Sequence, residues 1–416
     1  MDAEISIKPF TATVESSSSG RVSILVGLLL VATLGLLPAY LLPSGGYQVV
    51  DFPLFLLIVI TIFANLGKSQ LFGQVYYLLP FLFWATFIDT GYAVIYSDKE
   101  FLLLGLVPLI YGALIIVALS MIFGRIITSR KIIYIYLGLV LSIIVTLTTR
   151  GVPIPGMRAL LSFNDPNQLG YFAVILLCYA IILINYKNNF NHNNFGYFIV
   201  DAILIVFAHY FMALSVSRSA MAGIFVLDVC LLKNIRNIKI FATVLLFMII
   251  SIVILTFWKP NFIKERLAVR DPGVYSEGAI SGSFEERAMS PLNLLHGIQF
   301  IIGRGQGSVA SFRNLSASGI FANIEGYGGE SHNAIIEIFC SYGCIGLALF
   351  LFWLLPAIWS SRILKDGPWI WGGLLAFNMG NYGLRWRAMW IVLAFLLAMV
   401  SQVKIQKAET SVVLRK

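Results

Sequence analysis

The sequence contains few charged residues. Only 12% of its 416 residues are Asp, Glu, Lys or Arg, while 59% are hydrophobic. Soluble globular proteins carry about 25% charged residues, so this composition excludes a water-soluble fold. The apolar residues form long runs, such as 22–42 and 48–66. Each run is close to the roughly 20 residues that a helix needs to cross a bilayer, which predicts an all-α, polytopic membrane protein.

Cysteine and paired acidic residues are also scarce. The four cysteines, Cys178, Cys230, Cys340 and Cys344, all lie in apolar runs, which excludes a disulfide framework and a zinc site. No Asp-x-Asp pair is present, so we expect no metal and no cofactor. The net charge of +9 is spread over short segments beside the apolar runs. That distribution is typical of a membrane protein and argues against nucleic-acid binding.

Apolar runs and the residues that break them predict twelve spans. They lie near 22–42, 48–66, 71–96, 101–123, 131–149, 169–186, 195–214, 219–232, 238–258, 334–359, 368–384 and 388–403. The first twenty residues include Asp2, Glu4 and a serine run, unlike a cleaved signal peptide, so we expect the first span to be retained. The span at 219–232 is short, which predicts a tilted, broken or enclosed helix.

The distribution of Lys and Arg predicts the orientation. With a cytoplasmic N-terminus, 16 of the 29 basic residues fall on the cytoplasmic side, and both termini are predicted there. Three regions result: an N-terminal bundle (1–258), a large extracytoplasmic loop (259–333) and a C-terminal region (334–416). Within the loop, Ser290 and Pro291 resemble a helix start, and apolar residues at helical spacing follow until Gly303. This predicts an amphipathic helix lying on the outer membrane surface.

The short outer loops contain six basic residues that the topology disfavours, and five of them are arginines. They are Lys99, Arg150, Arg158, Arg218, Arg385 and Arg387. Guanidinium groups donate paired hydrogen bonds to phosphate or carboxylate oxygens, so a ligand with such groups would explain the set. Alternatively, the arginines snorkel, pair with acids or bind lipid headgroups. Arg304, between two glycines in the large loop, is a ligand contact or a loop ion pair.

His332 is one of only four histidines and stands at the predicted start of a span, beside Glu330 and Asn333. Histidine is a frequent general base near neutral pH, and a nearby carboxylate can fix its tautomer. The alternative is an interfacial histidine at a helix start that Asn333 caps. His209 and Asp228 fall within predicted spans, where ionisable groups are rare.

Several segments together resemble one enzyme superfamily. They are SVSRSA at 215–220, FEERAM at 284–289, GRGQG at 303–307, ESHNAIIEIFCSYGCIGLALF at 330–350 and FNDPNQLGYF at 163–172. The first four segments, in this order along the chain, resemble the O-antigen ligases and bacterial polysaccharide polymerases. The match covers roughly the C-terminal 60% of the chain. The FNDPNQLGYF segment is similar to one in polymerase-type members.

The resemblance implies a GT-C-type glycosyltransferase that uses a polyprenyl-diphosphate-linked glycan at the periplasmic face of the bacterial inner membrane. It implies catalytic roles for Arg218, Arg287 and His332. The substrate-binding candidates are Arg150, Arg158, Arg304, Glu330, Asn333, Arg385 and Arg387. Implied partners are the lipid-linked oligosaccharide, an acceptor glycan or lipid A core, membrane lipids, a flippase and a chain-length regulator.

Three functions stay open at this point. The leading hypothesis is polymerisation of the repeat units of an O-antigen, capsule or exopolysaccharide. The second is an O-antigen ligase that transfers the finished glycan to lipid A core. The third is a flippase or transporter, since twelve spans with both termini inside also suit a carrier. A carrier should concentrate ionisable groups near the middle of its helices, whereas here they crowd at the outer edge.

Overall fold

The computed structural model of the protein describes residues 23–41, 48–66, 76–97, 99, 101–151, 161–190, 195–215, 217–234, 292, 295–306, 333–380 and 386–413. These residues form helices and connecting turns, and within these ranges there is no β-strand. The all-α prediction is therefore confirmed for this part of the chain.

Eleven long helices lie in the described residues. They are α1 (Ile24–Leu36), α2 (Asp51–Ala64), α3 (Leu79–Tyr96), α4 (Val107–Thr128), α5 (Ile133–Thr148), α6 (Pro166–Phe190), α7 (Phe195–Ser215), α8 (Arg218–Asn234), α9 (Ala334–Ser361), α10 (Gly367–Asn378) and α11 (Arg387–Val413). A π-helical turn, Phe101–Leu106, leads into α4. Each long helix coincides with one of the predicted spans, and the remaining span, 238–258, lies outside the described residues.

Six helical segments of the described part of the chain are long and apolar enough to cross a membrane. They are Tyr76–Tyr96, Phe101–Thr128, Pro166–Phe190, Phe195–Ser215, Ala334–Ser361 and Arg387–Ser411. Three shorter apolar helices, α1, α2 and α5, accompany them. The chain is thus a helical membrane protein by these criteria, and the total of twelve spans stays a prediction.

Helix α6 forms the centre of the bundle. Of its most apolar 18-residue window, 94% is buried. Its neighbours are α7, α8, α10 and α11, which come from both sides of the large loop in the sequence. The helix begins three residues earlier than predicted, because Asp165 accepts a hydrogen bond from the Asn167 N–H (2.9 Å) and Pro166 suits a first helical position.

Contacts between helix ends divide the bundle into two ends of different charge. At the first, which we call the arginine end, the side chain of Asp51 at the start of α2 binds Arg387 at the start of α11. At the opposite end, the Arg125 side chain near the end of α4 donates a hydrogen bond to Asn65, just after α2 (2.8 Å). Helices α2, α4 and α11 therefore run in the same direction, as expected for the second, the fourth and the last of the twelve predicted spans.

The described basic residues separate between these ends. The arginine end contains Lys99, Arg150, Arg218, Arg304 and Arg387. The opposite end contains Arg125, Arg130, Lys131, Lys187, Lys233, Arg362, Lys365, Lys404 and Lys407. By the positive-inside rule, the opposite end is predicted to be cytoplasmic.

Helix α9 is broken at Gly343, and this break positions part of the large loop. Gly343 has φ 67° and ψ −171°, which interrupts the helical hydrogen bonds of the preceding turn. The freed carbonyls of Cys340 and Ser341 accept hydrogen bonds from the backbone N–H groups of Arg304 (3.1 Å) and Gly305 (2.9 Å). Buried backbone groups in a membrane protein need such partners, so the loop segment completes the broken helix.

Two glycines allow this close approach. Gly303 has φ 85°, and a Cβ there would overlap the Ser341 carbonyl. A Cβ on Gly343 would overlap the carbonyl of Ile301. Both positions therefore require glycine for two reasons, the positive φ and the lack of space.

The amphipathic loop helix is shorter than predicted within the described residues. The α-helical part is Gln299–Ile302; Gly297 and Ile298 form a turn before it, and Leu295 and His296 have no regular structure. Gly297 adopts φ 54°, outside the right-handed helical region, which explains the late start. Leu295 is buried whereas Ile298 is 65% exposed, so the expected common apolar face is not formed.

The contact at Gly343 predicts a graded response to alanine substitution. Gly343→Ala should lower the stability by at least about 3 kcal/mol, since it combines backbone strain with an overlap that the helix cannot relieve. Gly297→Ala, with a positive φ but nothing within 4 Å of the added Cβ, should lower it by about 1 kcal/mol. Gly91→Ala, in α3 with open space around it, should change the stability by less than about 1 kcal/mol.

The measurement for these three glycine variants is thermal inactivation of the purified protein, followed by size-exclusion chromatography. Equal effects of all three variants would contradict the role of the α9 contact.

Candidate functional site at the arginine end

Arg218 is the first residue of α8 and is exposed. The preceding turn is held by serines: the Ser217 N–H donates to the Ser215 hydroxyl (3.2 Å), and the Ala220 N–H donates to the Ser217 hydroxyl (3.4 Å). The last contact caps the start of the helix. A rigid turn therefore presents a guanidinium group that is open to contact by a ligand.

Small residues bring α8 close to its neighbours at this turn. A Cβ on Gly170 of α6 would lie 2.9 Å from Ser217 and Ala220, and one on Gly380 after α10 would overlap the Ser219 hydroxyl. Small residues at a helix contact allow such close backbone approach within a membrane. Arg218 is thereby fixed between α6 and the end of α10.

Arg387 differs from Arg218 because it is held by an acid. Its Nε donates a hydrogen bond to the carboxylate of Asp51, which is 8% exposed. The same carboxylate accepts hydrogen bonds from the Gln48 N–H (2.6 Å) and the Tyr111 hydroxyl (3.2 Å). One of the alternatives raised for these arginines, pairing with an acid, therefore describes Arg387, and the contact links α2, α4 and α11.

Arg304 is buried in the contact between the loop and α9. The residue is 3% exposed, and its Nη1 has no hydrogen-bond partner among the described residues. Burial lowers the pKa of the guanidinium below its usual range, while the neighbouring Cys340 and Glu337 raise it. A buried guanidinium N–H without an acceptor costs about 1–3 kcal/mol. An anionic oxygen at this position would recover that free energy.

A polar network holds the segment that carries Arg304. The buried carboxylate of Asp89 in α3 accepts a hydrogen bond from the Gln306 N–H (3.0 Å). The Tyr342 hydroxyl lies 3.0 Å from both Asp89 Oδ2 and Gln306 Oε1. The Tyr92 hydroxyl donates to the Gly303 carbonyl (2.9 Å). Hydrogen bonds thus hold the chain before Arg304, at Gly303, and after it, at Gln306.

Sequence reasoning did not identify Asp89, Tyr342 or Gln306. The available signal was an aspartate within an apolar span, which is costly unless it is paired. Its partners are 217 and 253 residues away in the chain, so their identity could not be read from spacing.

Of the remaining candidate site residues, two lie in the described part of the chain and five lie outside it. Arg150 is exposed after the end of α5. Asn333 caps α9 by accepting hydrogen bonds from the N–H groups of Ile335 (3.0 Å) and Ile336 (3.2 Å), as the alternative interpretation of this segment expected. The others lie outside the described residues: Arg158, Arg287, Glu330, His332 and Arg385. Their grouping with Arg218 and Arg304 stays a prediction.

Within the described residues, no group of three or more His, Cys, Asp and Glu side chains is placed to hold a metal ion. The basic side chains and the hydrogen-bond donors around them are therefore the groups that this part of the chain offers to an anionic ligand.

No protein-family model matches the chain, and no curated protein matches its sequence.

Arg387 is paired with Asp51, whereas Arg150 is exposed, so we expect the two arginines to contribute differently to stability. Arg387→Gln should lower the free energy of unfolding by about 3 kcal/mol, because it leaves the Asp51 carboxylate without its cation. Arg150→Gln, at an exposed position, should change it by less than about 0.5 kcal/mol. Chemical unfolding of the purified variants gives both values. A combination of Arg387→Gln with Asp51→Asn should cost less than the sum of the single changes, and strict additivity would show that the pair contributes nothing.

Proposed function

We propose that this protein is a membrane glycosyltransferase that acts on polyprenyl-diphosphate-linked glycans at the extracytoplasmic face of the inner membrane, and that it polymerises oligosaccharide repeat units. Besides the superfamily resemblance, the observation that carries the proposal is the arginine end. Four arginines of the described part of the chain lie there, two of them exposed, and the buried Arg304 has a guanidinium nitrogen without a partner in that part. Such an arrangement suits a diphosphate leaving group.

The proposed reaction transfers the growing glycan to a new lipid-linked repeat unit. A hydroxyl oxygen of the acceptor sugar attacks the anomeric carbon of the donor, and the bond from that carbon to the diphosphate oxygen breaks. Arginine side chains neutralise the charge that develops on the departing polyprenyl diphosphate. The proton of the acceptor hydroxyl goes to a general base, for which we propose His332. A single displacement of this kind inverts the anomeric centre.

The first test uses the purified protein in lipid nanodiscs with a defined lipid-diphosphate oligosaccharide. Polymerisation should produce a ladder of products on a gel, and a chelator should not abolish it if arginines stabilise the diphosphate. In cells, a deletion strain that accumulates full-length lipid-linked polymer would contradict the polymerase and favour the ligase.

Substitution of Arg218 tests the proposed role of the arginines most directly in this assay. Arg218→Lys retains the charge but loses the two-pronged donor geometry, so the rate should fall by about 10²-fold while the protein still folds. Arg287→Lys should act similarly. The control is Arg362→Lys at the opposite end, where the guanidinium lies 3.7 Å from the ring centroid of Trp359. Normal activity of Arg218→Lys would remove this arginine from the proposed mechanism.

The role of His332 has a separate kinetic signature. His332→Ala should reduce turnover by about 10² to 10⁴-fold and leave the affinity for the lipid-linked donor nearly unchanged. Comparing turnover with donor binding by the inactive variant makes the distinction. Weakened donor binding with ordinary turnover would place His332 at the diphosphate, and wild-type values would leave it as a residue at a helix start.

One observation favours the carrier alternative. His209 and Asp228 form a pair inside the helical bundle, where carriers place ionisable groups. The assay that decides uses sealed vesicles: translocation of the lipid-linked glycan without formation of a glycosidic bond would replace the glycosyltransferase proposal.

A further inference from the structure

The His209–Asp228 pair lies within helices, away from both ends of the bundle. His209 stands six residues before the end of α7, and Asp228 ten residues after the start of α8. The histidine is 5% exposed, and about a quarter of the Asp228 side chain is exposed. The pair therefore joins the two helices beneath the turn that presents Arg218.

The hydrogen bonds of the imidazole ring define where its protons are. Nδ1 lies 2.8 Å from the carbonyl oxygen of Ile205, one turn earlier in α7. A carbonyl oxygen only accepts hydrogen bonds, so Nδ1 carries a hydrogen. Nε2 lies 3.1 Å from Oδ1 and 3.2 Å from Oδ2 of Asp228.

This geometry requires a second proton. In a neutral histidine with its hydrogen on Nδ1, Nε2 is an acceptor. An ionised carboxylate is also an acceptor, and two acceptors at this distance in a low-dielectric interior would repel each other. A hydrogen must therefore lie between Nε2 and the carboxyl group, on either side. Both forms contain one proton more than neutral histidine with ionised aspartate.

The other charged groups of the helices packed around α7 have partners of their own, except Arg218, which is exposed at the start of α8. Helix α6 contributes Lys187, which binds Asp201 of α7 itself. Helix α5 contributes Tyr136, whose hydroxyl donates to Asp201 (3.0 Å). On α8, Lys233 lies over the ring of Trp369, 5.9 Å from its centroid. Among the described groups, Asp228 is thus the charged partner that acts on His209.

We propose that His209 and Asp228 hold one bound proton between them and so form a proton-binding site between α7 and α8. The bound proton makes the pair electrically neutral overall and supplies the hydrogen bond between α7 and α8. Its loss would leave an uncompensated carboxylate between the helices, which the membrane interior strongly disfavours. The proton therefore stabilises the α7–α8 hairpin and the turn with Arg218. The site does not depend on the proposed enzymatic function.

The test is magnetic resonance of the full chain, labelled with ¹⁵N-histidine, in lipid nanodiscs at a pH of about 8, where an ordinary histidine is only about 3% protonated. The protein has four histidines, and His209→Gln identifies the signals of the pair by difference. His296, which is exposed, gives a second histidine signal for comparison. Infrared spectra of the same samples report a protonated carboxyl group, and Asp228→Asn identifies its band.

Two results support the site: both nitrogens of His209 protonated, or Nδ1 protonated together with a carboxylic acid band that Asp228→Asn removes. Two results overturn it: a ring with hydrogen on Nε2 alone, or Nδ1 protonated without such a band. In Asp228→Asn, the amide can donate to Nε2, so His209 should become a neutral ring with hydrogen on Nδ1. Asp201→Asn, on the same helix, should leave the His209 signals unchanged. If His209→Gln does not fold, the signals of His209 are identified in a protein whose three other histidines are replaced by glutamine.

Discussion

The backbone contact between the large loop and the broken helix α9 determines the architecture of the arginine end. A break in a membrane helix frees carbonyl groups that lipid cannot satisfy. Here the N–H groups of Arg304 and Gly305 satisfy them, which ties a loop segment into the bundle as firmly as a helix. Gly303 and Gly343 make the approach possible, and Asp89 holds the next residue along the loop.

This arrangement gives arginines of the same end different chemical properties. Arg387 is paired with Asp51 and joins helices, so its charge is largely used within the protein. Arg218 and Arg150 are exposed, and Arg304 is enclosed with an unused donor. Counting basic residues therefore overstates the number available to a ligand. The surroundings of each arginine, rather than its residue type, therefore distinguish an arginine that can bind a ligand from one that holds helices together.

Local patterns in the sequence predicted the helices well, because crossing a membrane imposes a length and a composition on each segment. Helix α6 appears where expected, and the N-terminal extension to Pro166 follows from a capping residue outside the apolar run. The SVSRSA turn and the cap by Asn333 were also foreseeable from local chemistry. The contacts of the segment that carries Arg304 were not, because Asp89 and Tyr342 bind Gln306 beside a helix break whose partner is a distant loop. Likewise, no local signal indicated that Asp51 would take Arg387 as its partner.

The central position of α11 has a consequence for how the protein is made. This helix packs against α4 and α6, and it provides the Arg387 side chain for Asp51. Yet ten other long helices leave the ribosome before it. Until it arrives, the groove along α4 and α6 is open and the Asp51 carboxylate has no cation. In the partly inserted protein, lipid or the insertion machinery must therefore cover this groove until α11 is synthesised.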